Sequence, residues 1–530
     1  MRFALACLAA LAAFAAAAEP LEVDVDMTLR AVLLTPEDSP LIGEEGLRAA
    51  AEGALGRRVD LAALEALRRE MTEALVAAGY VSSGVRLRTV DAGAGEATFE
   101  IVAGRLTGIR VRGEGVAEAG ARGPGEIGAE WLRERVALDD GPFSLPAAEE
   151  ALRILLRDRN VARVDAAIRP GAGEGETALD LDIAARRPYD AALTLSNDTP
   201  DIAGEETARL SLAARNLLFS GDEARLELEG TEGRRRARFE AEAPVRPGGP
   251  APFISFEHAV SEFVREPFRS ADVDSTFTRI GFGVTVPLIE TSRRRLNGIL
   301  AFDRKRARST VAGVPFSFEE GPENGLSRTS VLSLAFEFSD LAEARSLALR
   351  VSGSAGLPIL GATENAGDLP DGRFFVLVAQ AQLAARLTDA ATVIARAQGQ
   401  IADRRLLPLE QVAIGGRDTV RGFGEASLAG DDAAVGSLEL RLAMIDLPVP
   451  ELTPPDHPAT LTLAPFIDAG ATRRKGRKAE GLIGAGAGLL WSPSPGVDAA
   501  FYFGAALSGG SRGTGLQGEG AHLAVTIALP

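Results

Sequence analysis

Over residues 22–187 the apolar positions follow two periods in turn, short strand-like runs alternating with amphipathic helical ones. Residues 23–30 (VDVDMTLR) alternate as a half-buried strand does, and a helix is predicted over 44–55. A second helix starts behind Asp60, a good N-cap, with Leu64, Leu67, Met71 and Leu75 on one face, and stops at Gly79. Strands at 85–88 and 97–102 complete the order βααββ. That order recurs as a strand at 108–113, a helix at 131–138, and a second helix capped by Ser144 with Leu152, Leu155 and Leu156 on one face. Strands at 161–168 and 177–184 follow. The leucines read as core positions against a small sheet, and the recurring order predicts two tandem α+β modules, 19–107 and 108–187.

From Pro188 onward helical periodicity gives way to two-residue alternation broken by Gly, Pro, Asn and Asp. Leu210, Leu212 and Ala214 oppose Arg209, Ser211 and Arg215, and Ile280, Phe282, Val284 and Val286 oppose Arg279, Gly281, Gly283 and Thr285. The same pattern runs through Leu332, Leu334, Phe336 and Phe338, and through Val497, Ala499, Phe501 and Phe503. Alternation alone fits a soluble sandwich as well as a barrel. Length separates them: residues 188–530, at ~20 residues per strand with its connection, give ~16 strands, and a closed barrel of that size leaves no edge strand. The predicted architecture is therefore tandem α+β modules followed by a transmembrane antiparallel β-barrel of about 16 strands.

Composition narrows the picture further. Residues 1–18 carry Arg2 and then an apolar, Ala-rich run, a secretory signal peptide that is too short for a spanning helix. The single cysteine, Cys7, lies inside it, so a disulfide or thiolate site is not expected in the mature chain. No later stretch of ~20 apolar residues is free of charge, which leaves a closed barrel as the way to cross a membrane. A net charge of -17 argues against nucleic acid as partner, and His258, His457 and His522 are too scattered for a metal centre. No cofactor is expected.

The segment LEQVAIGGRDTVRGFG at 409–424, followed by Gly430-Asp431-Asp432 and Glu439-Leu440-Arg441, resembles the inward-folded loop of the two-partner secretion transporters, the haemolysin-activator and filamentous-haemagglutinin transporter type. FIDAG at 466–470 resembles their barrel-wall motif. NLLFSGD at 216–222 resembles their first barrel hairpin. The tandem modules are similar to their polypeptide-transport-associated (POTRA) domains, with AGY at 78–80 in the first and RPG at 169–171 in the second. Four motifs in family order cover almost the whole mature chain. The resemblance implies an outer-membrane transporter with periplasmic POTRA domains that passes an unfolded, secreted exoprotein through its barrel. It also implies contact with outer-membrane lipid and lipopolysaccharide, and with the barrel-assembly machinery during biogenesis. Relatives with a plug helix place it before the first module; residues 19–21 leave no room for one here, so the loop near 409–432 is the expected gate.

The residues of that loop agree. Gly415 and Gly416, then Gly422 beside Phe423, permit a left-handed or tight backbone that could press against a wall. Arg421 offers planar donors for a carboxylate. In the strand containing FIDAG, Phe466 and Asp468 share a face opposite Leu461, Leu463 and Ile467, so Asp468 enters the lumen if the leucines meet lipid; Gly470 follows on the same face. The alternative is a solvated arginine and a turn aspartate.

No catalytic residue is assigned. The sequence GGSRG at 509–513 matches a nucleophile-elbow pattern without the helix that pattern requires, and GAGAG at 484–488 reads as a glycine-rich strand. The basic run at 473–478 reads as a solvated loop, with a lipopolysaccharide contact as the alternative. Two rival functions remain: a barrel-assembly factor of the BamA or TamA type, which uses the same loop, and a diffusion porin, which leaves the modules unexplained.

Overall fold

The structure, a computed structural model, describes residues 25–118, 122–266, 268–508 and 515–529. Residues 1–18, read above as a signal peptide, GGSRG at 509–513 and Pro530 lie outside the described residues. The chain divides into two compact units, the second beginning at Pro188.

Each module of the first unit packs two helices on a three-stranded sheet. In the first, the helices Glu45–Gly53 and Leu61–Ala77 cover a sheet ordered Ala31–Thr35, Glu96–Val102, Gly84–Asp91. Asp60 caps the longer helix, its carboxylate accepting from the Ala63 N–H at 2.7 Å. The strand expected over 23–30 divides. Val25, Met27 and Leu29 do alternate into the core, but Asp26–Thr28 pairs with Arg58–Asp60, and the sheet strand is the next segment, Ala31–Thr35, parallel to Glu96–Val102. The run AVLLT is apolar at four successive positions, Ala31 to Leu34, so no two-residue period marks it.

The second module repeats the plan with helices Ala129–Val136 and Leu145–Leu156, and the Ser144 hydroxyl caps the latter. Its first strand, Arg105–Arg112, begins three residues before the expected boundary at 108 and runs parallel to Glu176–Ala185.

The second unit is a closed antiparallel barrel from Tyr189–Ser196 to Ala521–Leu529. Closure comes from pairing of the first strand with the last, Ala191 with Leu529 through Ser196 with Ala524. Sixteen strands form the wall, and the two-residue strand Val314–Pro315 adds a local hairpin on one of them. Ile280, Phe282, Leu334, Phe336, Phe501 and Phe503 are exposed on the outer face, as a lipid-facing belt requires. Charged and amide side chains line the inside, with Arg279 donating to Asp303 at 2.7 Å. No helix among the described residues is long and apolar enough to cross a membrane.

NLLFSGD, expected in the first barrel hairpin, instead joins the second and third strands, Thr207–Arg215 and Glu223–Gly230, because the first connection spans 197–206, and its composition suits a tight turn. Asp222 accepts from the N–H groups of Leu217 and Leu218 at 2.8 Å and of Phe219 at 2.9 Å, while Asn216, at φ 54°, accepts from Gly221 at 2.7 Å. This turn lies at the end where the chain enters the barrel. Because neighbouring strands are antiparallel, the connection at 403–431 leaves from the opposite end.

Candidate functional site

The connection at 403–431 folds back into the lumen as a small hairpin, Val412–Ile414 paired with Leu428–Gly430. Asp431 holds its base, accepting from the Leu406 N–H at 2.9 Å and the Lys475 N–H at 2.7 Å. At its tip Gly415, Gly416 and Gly422 have φ of 106°, 101° and 93°, a region that side chains rarely enter. Ile414, Val420 and Phe423 are fully buried with Val435 and Leu482. Gly470 lies beneath them: a Cβ there would stand 3.0 Å from both Ile414 and Val420.

Arg421 is the centre of the site. Its Nε donates to Asp468 Oδ2 at 2.8 Å, its Nη2 to Asp468 Oδ1 at 2.9 Å, and its backbone N–H to Oδ2 at 3.0 Å. Nη1 donates to Glu439, and Nη2 also to the Ser437 hydroxyl at 3.2 Å. The guanidinium lies over the Phe466 ring, 3.6 Å from its centroid, with the Tyr502 ring at 4.8 Å. Arg421, Glu439 and Asp468 are 2%, 1% and 1% exposed, so all three charges have left water. Glu439 takes a further donor from Arg441 at 2.8 Å, giving two cations and two anions in one cluster.

Glycine permits the contact with the wall. A Cβ on Gly484 would fall 1.9 Å from the Arg421 carbonyl oxygen, and one on Gly504 would fall 2.8 Å from the Gly422 nitrogen. The loop backbone therefore lies directly on the strands Glu480–Ser494 and Val497–Ala506. The GAGAG run is in a strand, and its first glycine makes room for the loop.

Two further anchors hold the loop. Across the lumen, Glu410 accepts from Lys305 Nζ at 2.8 Å and from the Thr329 hydroxyl at 2.6 Å. Near the tip, Glu425 accepts from the Arg417 N–H at 2.7 Å, and its own N–H donates to Gln517 at 2.9 Å. The Glu425 carboxyl covers Gly416, where a Cβ would come within 2.2 Å of it. Burial, reinforced by Asp418 and Asp198, pushes this loop carboxyl up to about 8.

Of the residues singled out, Arg421 meets Phe466 and Asp468, Phe423 lies within the buried cluster with Gly470 beneath it, and Gly422 lies on the wall at Gly504, whereas Gly415 and Gly416 face other loop residues, Ser427 and Glu425. Sequence reasoning missed Glu439 as a partner of Arg421, although Ser437, Glu439 and Arg441 share one face of an alternating strand. It also missed Glu410, Gly504, Tyr502 and Gln517, whose roles depend on distant segments coming together. The basic run is only partly solvated: Arg473 and Lys475 pair with Asp432 at 2.6 and 2.9 Å, Arg474 pairs with Glu319 at 2.9 Å, and Arg477 and Lys478 are exposed.

A closed sixteen-stranded barrel with an inward loop and α+β modules ahead of it defines a class, the outer-membrane β-barrel transporters with periplasmic POTRA domains. Residues 175–490 match the model of the haemolysin secretion/activation proteins ShlB, FhaC and HecB, and residues 35–104 match the ShlB-type POTRA domain. The chain belongs to this haemolysin secretion/activation family, the transporters of two-partner secretion. It is 24% identical to the outer membrane transporter CdiB of Dickeya dadantii (strain 3937) over 425 residues, 78% of this chain and 72% of that one. Its fold is similar to CdiB from Escherichia coli, with a TM-score of 0.68 at 18% identity, covering 97% of this chain and 92% of that one. CdiB from Acinetobacter baumannii gives 0.64 at 16% identity over 96% and 91%. BamA from Haemophilus ducreyi lacking POTRA domains 1–3 gives 0.55 at 14% identity over 95% and 100%.

Proposed function

We propose that the two periplasmic modules receive one unfolded exoprotein, that the barrel conducts it to the cell surface, and that the loop carrying Arg421 closes the lumen until the client engages. The observation that carries this reading is the anchorage of the loop on both sides of the lumen, through Arg421 to Asp468 and through Glu410 to Lys305. Beside the loop lies a cavity of about 550 Å³ lined by Asn297, Gln380, Gln382, Arg396 and Gln398, with Asp418 and Thr419 of the loop on the other side. Amides that both donate and accept suit an extended polypeptide, whose main chain is unpaired until it folds. The chain performs no catalysis in this scheme; folding of the client outside supplies direction.

The modules would capture the client as an added strand on an exposed sheet edge. Lipid surrounds the barrel, and the barrel-assembly machinery acts on it only during biogenesis. Residues 22–187 should then fold alone and bind an unfolded exported polypeptide, whereas the barrel without them should fail to secrete it. Secretion by the isolated barrel, with no client affinity in the fragment, overturns the receptor role. A barrel-assembly role is the weaker reading, because the likeness to BamA is one of fold alone.

A further inference from the structure

The outward face of the strands Arg294–Val311 and Leu326–Ala342 changes character along its length. Leu300 is exposed there, with Leu332, Leu334 and Phe336 on the neighbouring strand. Beyond Phe302 the same face carries Arg304, Arg306 and Arg308, and Arg328 is the register partner of Arg306. Alternation fixes the direction: Asp303 and Lys305 turn inward, to Arg279 at 2.7 Å and to Glu410 at 2.8 Å, so Arg304 and Arg306 turn outward. This strand runs away from the end where the chain enters, which places the arginines toward the cell surface. The stretch from Arg294 to Arg304 matches the ~9–11 residues with which a tilted strand crosses the hydrocarbon. Arg304 therefore stands at its outer border.

Arg304 donates only to backbone carbonyls, Thr329 at 3.0 Å, Lys305 at 3.2 Å and Gly361 at 3.3 Å. Among the described residues neither it nor Arg306, Arg308 or Arg328 pairs with a carboxylate, whereas Arg209, Arg236, Arg279 and Arg293 of the same barrel all do. Thr276, Thr278 and His258 are the neighbouring outward groups, and Asp274 lies one position further out without an ion pair to the cluster. Four adjacent guanidinium groups without a paired carboxylate repel one another and present planar donors matched to phosphate. Immediately below them are Ile280, Phe282, Phe302 and Leu332, with the two phenylalanine rings 5.4 Å apart.

We propose that this patch binds lipopolysaccharide, its lipid A phosphates on Arg304, Arg306, Arg308 and Arg328 and its acyl chains on the apolar surface below. Phosphate directly above hydrocarbon is the chemistry of an amphiphile in the outer leaflet; free phosphate would use only the upper half of the site.

The test uses the purified full chain in detergent, titrated with lipopolysaccharide and followed by native mass spectrometry. Arg306→Gln/Arg308→Gln alters exposed side chains that make no hydrogen bond, so folding, checked by heat-modifiable migration, should be retained. Lipopolysaccharide should bind this variant roughly tenfold or more weakly. Arg477→Gln/Lys478→Gln, in the basic turn, should bind as the parent does, and phosphatidylglycerol or inorganic phosphate should not compete effectively. Undiminished binding by the first variant, loss that follows the second, or equal competition by either phosphate source overturns the proposal.

Discussion

Asp468 grips Arg421 by main chain and side chain together: the backbone N–H donates to Oδ2 at 3.0 Å, Nε donates to the same oxygen at 2.8 Å, and Nη2 donates to Oδ1 at 2.9 Å. One carboxylate therefore fixes both the position of the loop and the orientation of its guanidinium. Such a cluster contributes little net stability when intact, because Arg421, Glu439 and Asp468 are dehydrated, yet it penalises any arrangement that separates them. That is the property a two-position gate needs.

Removing Arg421 should be worse than removing either acid. Arg421→Ala strands Asp468, at a cost of ~3–5 kcal/mol for a deeply buried partner, and leaves Glu439 with Arg441 alone, whereas Asp468→Ala leaves the guanidinium still paired with Glu439. Both changes should impair secretion and give larger or noisier single-channel conductance. The double variant should be scarcely worse than Arg421→Ala, with a coupling of ~0.5–3 kcal/mol in any equilibrium measure. Additive effects, or normal secretion by both single variants, contradict the lock.

A methyl group on the wall should expel the loop without touching a charge. At Gly484 the new Cβ would meet the Arg421 carbonyl at 1.9 Å, while at Gly436 nothing lies within 4 Å. Gly484→Ala should therefore raise conductance as Arg421→Ala does, and Gly436→Ala should behave as the parent. Planar-bilayer recording of the two variants is the check.

The large-scale plan was legible because period and order survive in a single sequence: helical faces such as Leu64, Leu67, Met71 and Leu75, and alternation such as Ile280, Phe282 and Val284, are local signals. The facing of Arg421 and Asp468 was legible for the same reason, since alternation turned Asp468 inward and the glycines marked a loop that could fold back. Glu439 lies on the inward face of its own strand, but no local signal marks it as a partner of a loop arginine 18 residues away. Gly484 and Glu410 left no local trace. Their roles exist only once strands far apart in sequence surround one loop, and in Ala31–Thr35 the absence of alternation hid a strand that the sheet requires.

Loop docking should weaken as pH rises. Glu425 is held up to about 8 in the docked loop, against 4.5 for an ordinary glutamate, so the docked state retains its proton where an undocked loop has lost it. The docked state then binds more protons than the undocked one between about 4.5 and about 8, and its stability falls across that window, being fully present only below it. Conductance noise should rise toward pH 8 in the parent. Glu425→Gln should remove that dependence, and a noise level unchanged by pH in the parent contradicts the assignment.

The most direct measurement compares proteins at the cell surface and in the medium between a strain lacking this chain and the same strain complemented with it, alongside the barrel content of the outer membrane. Transport predicts that one or a few exported polypeptides disappear from the surface and medium in the deficient strain, that they return on complementation but not with Arg421→Ala, and that other barrels are unchanged. An unaltered surface and medium with a general fall in outer-membrane barrels would contradict it.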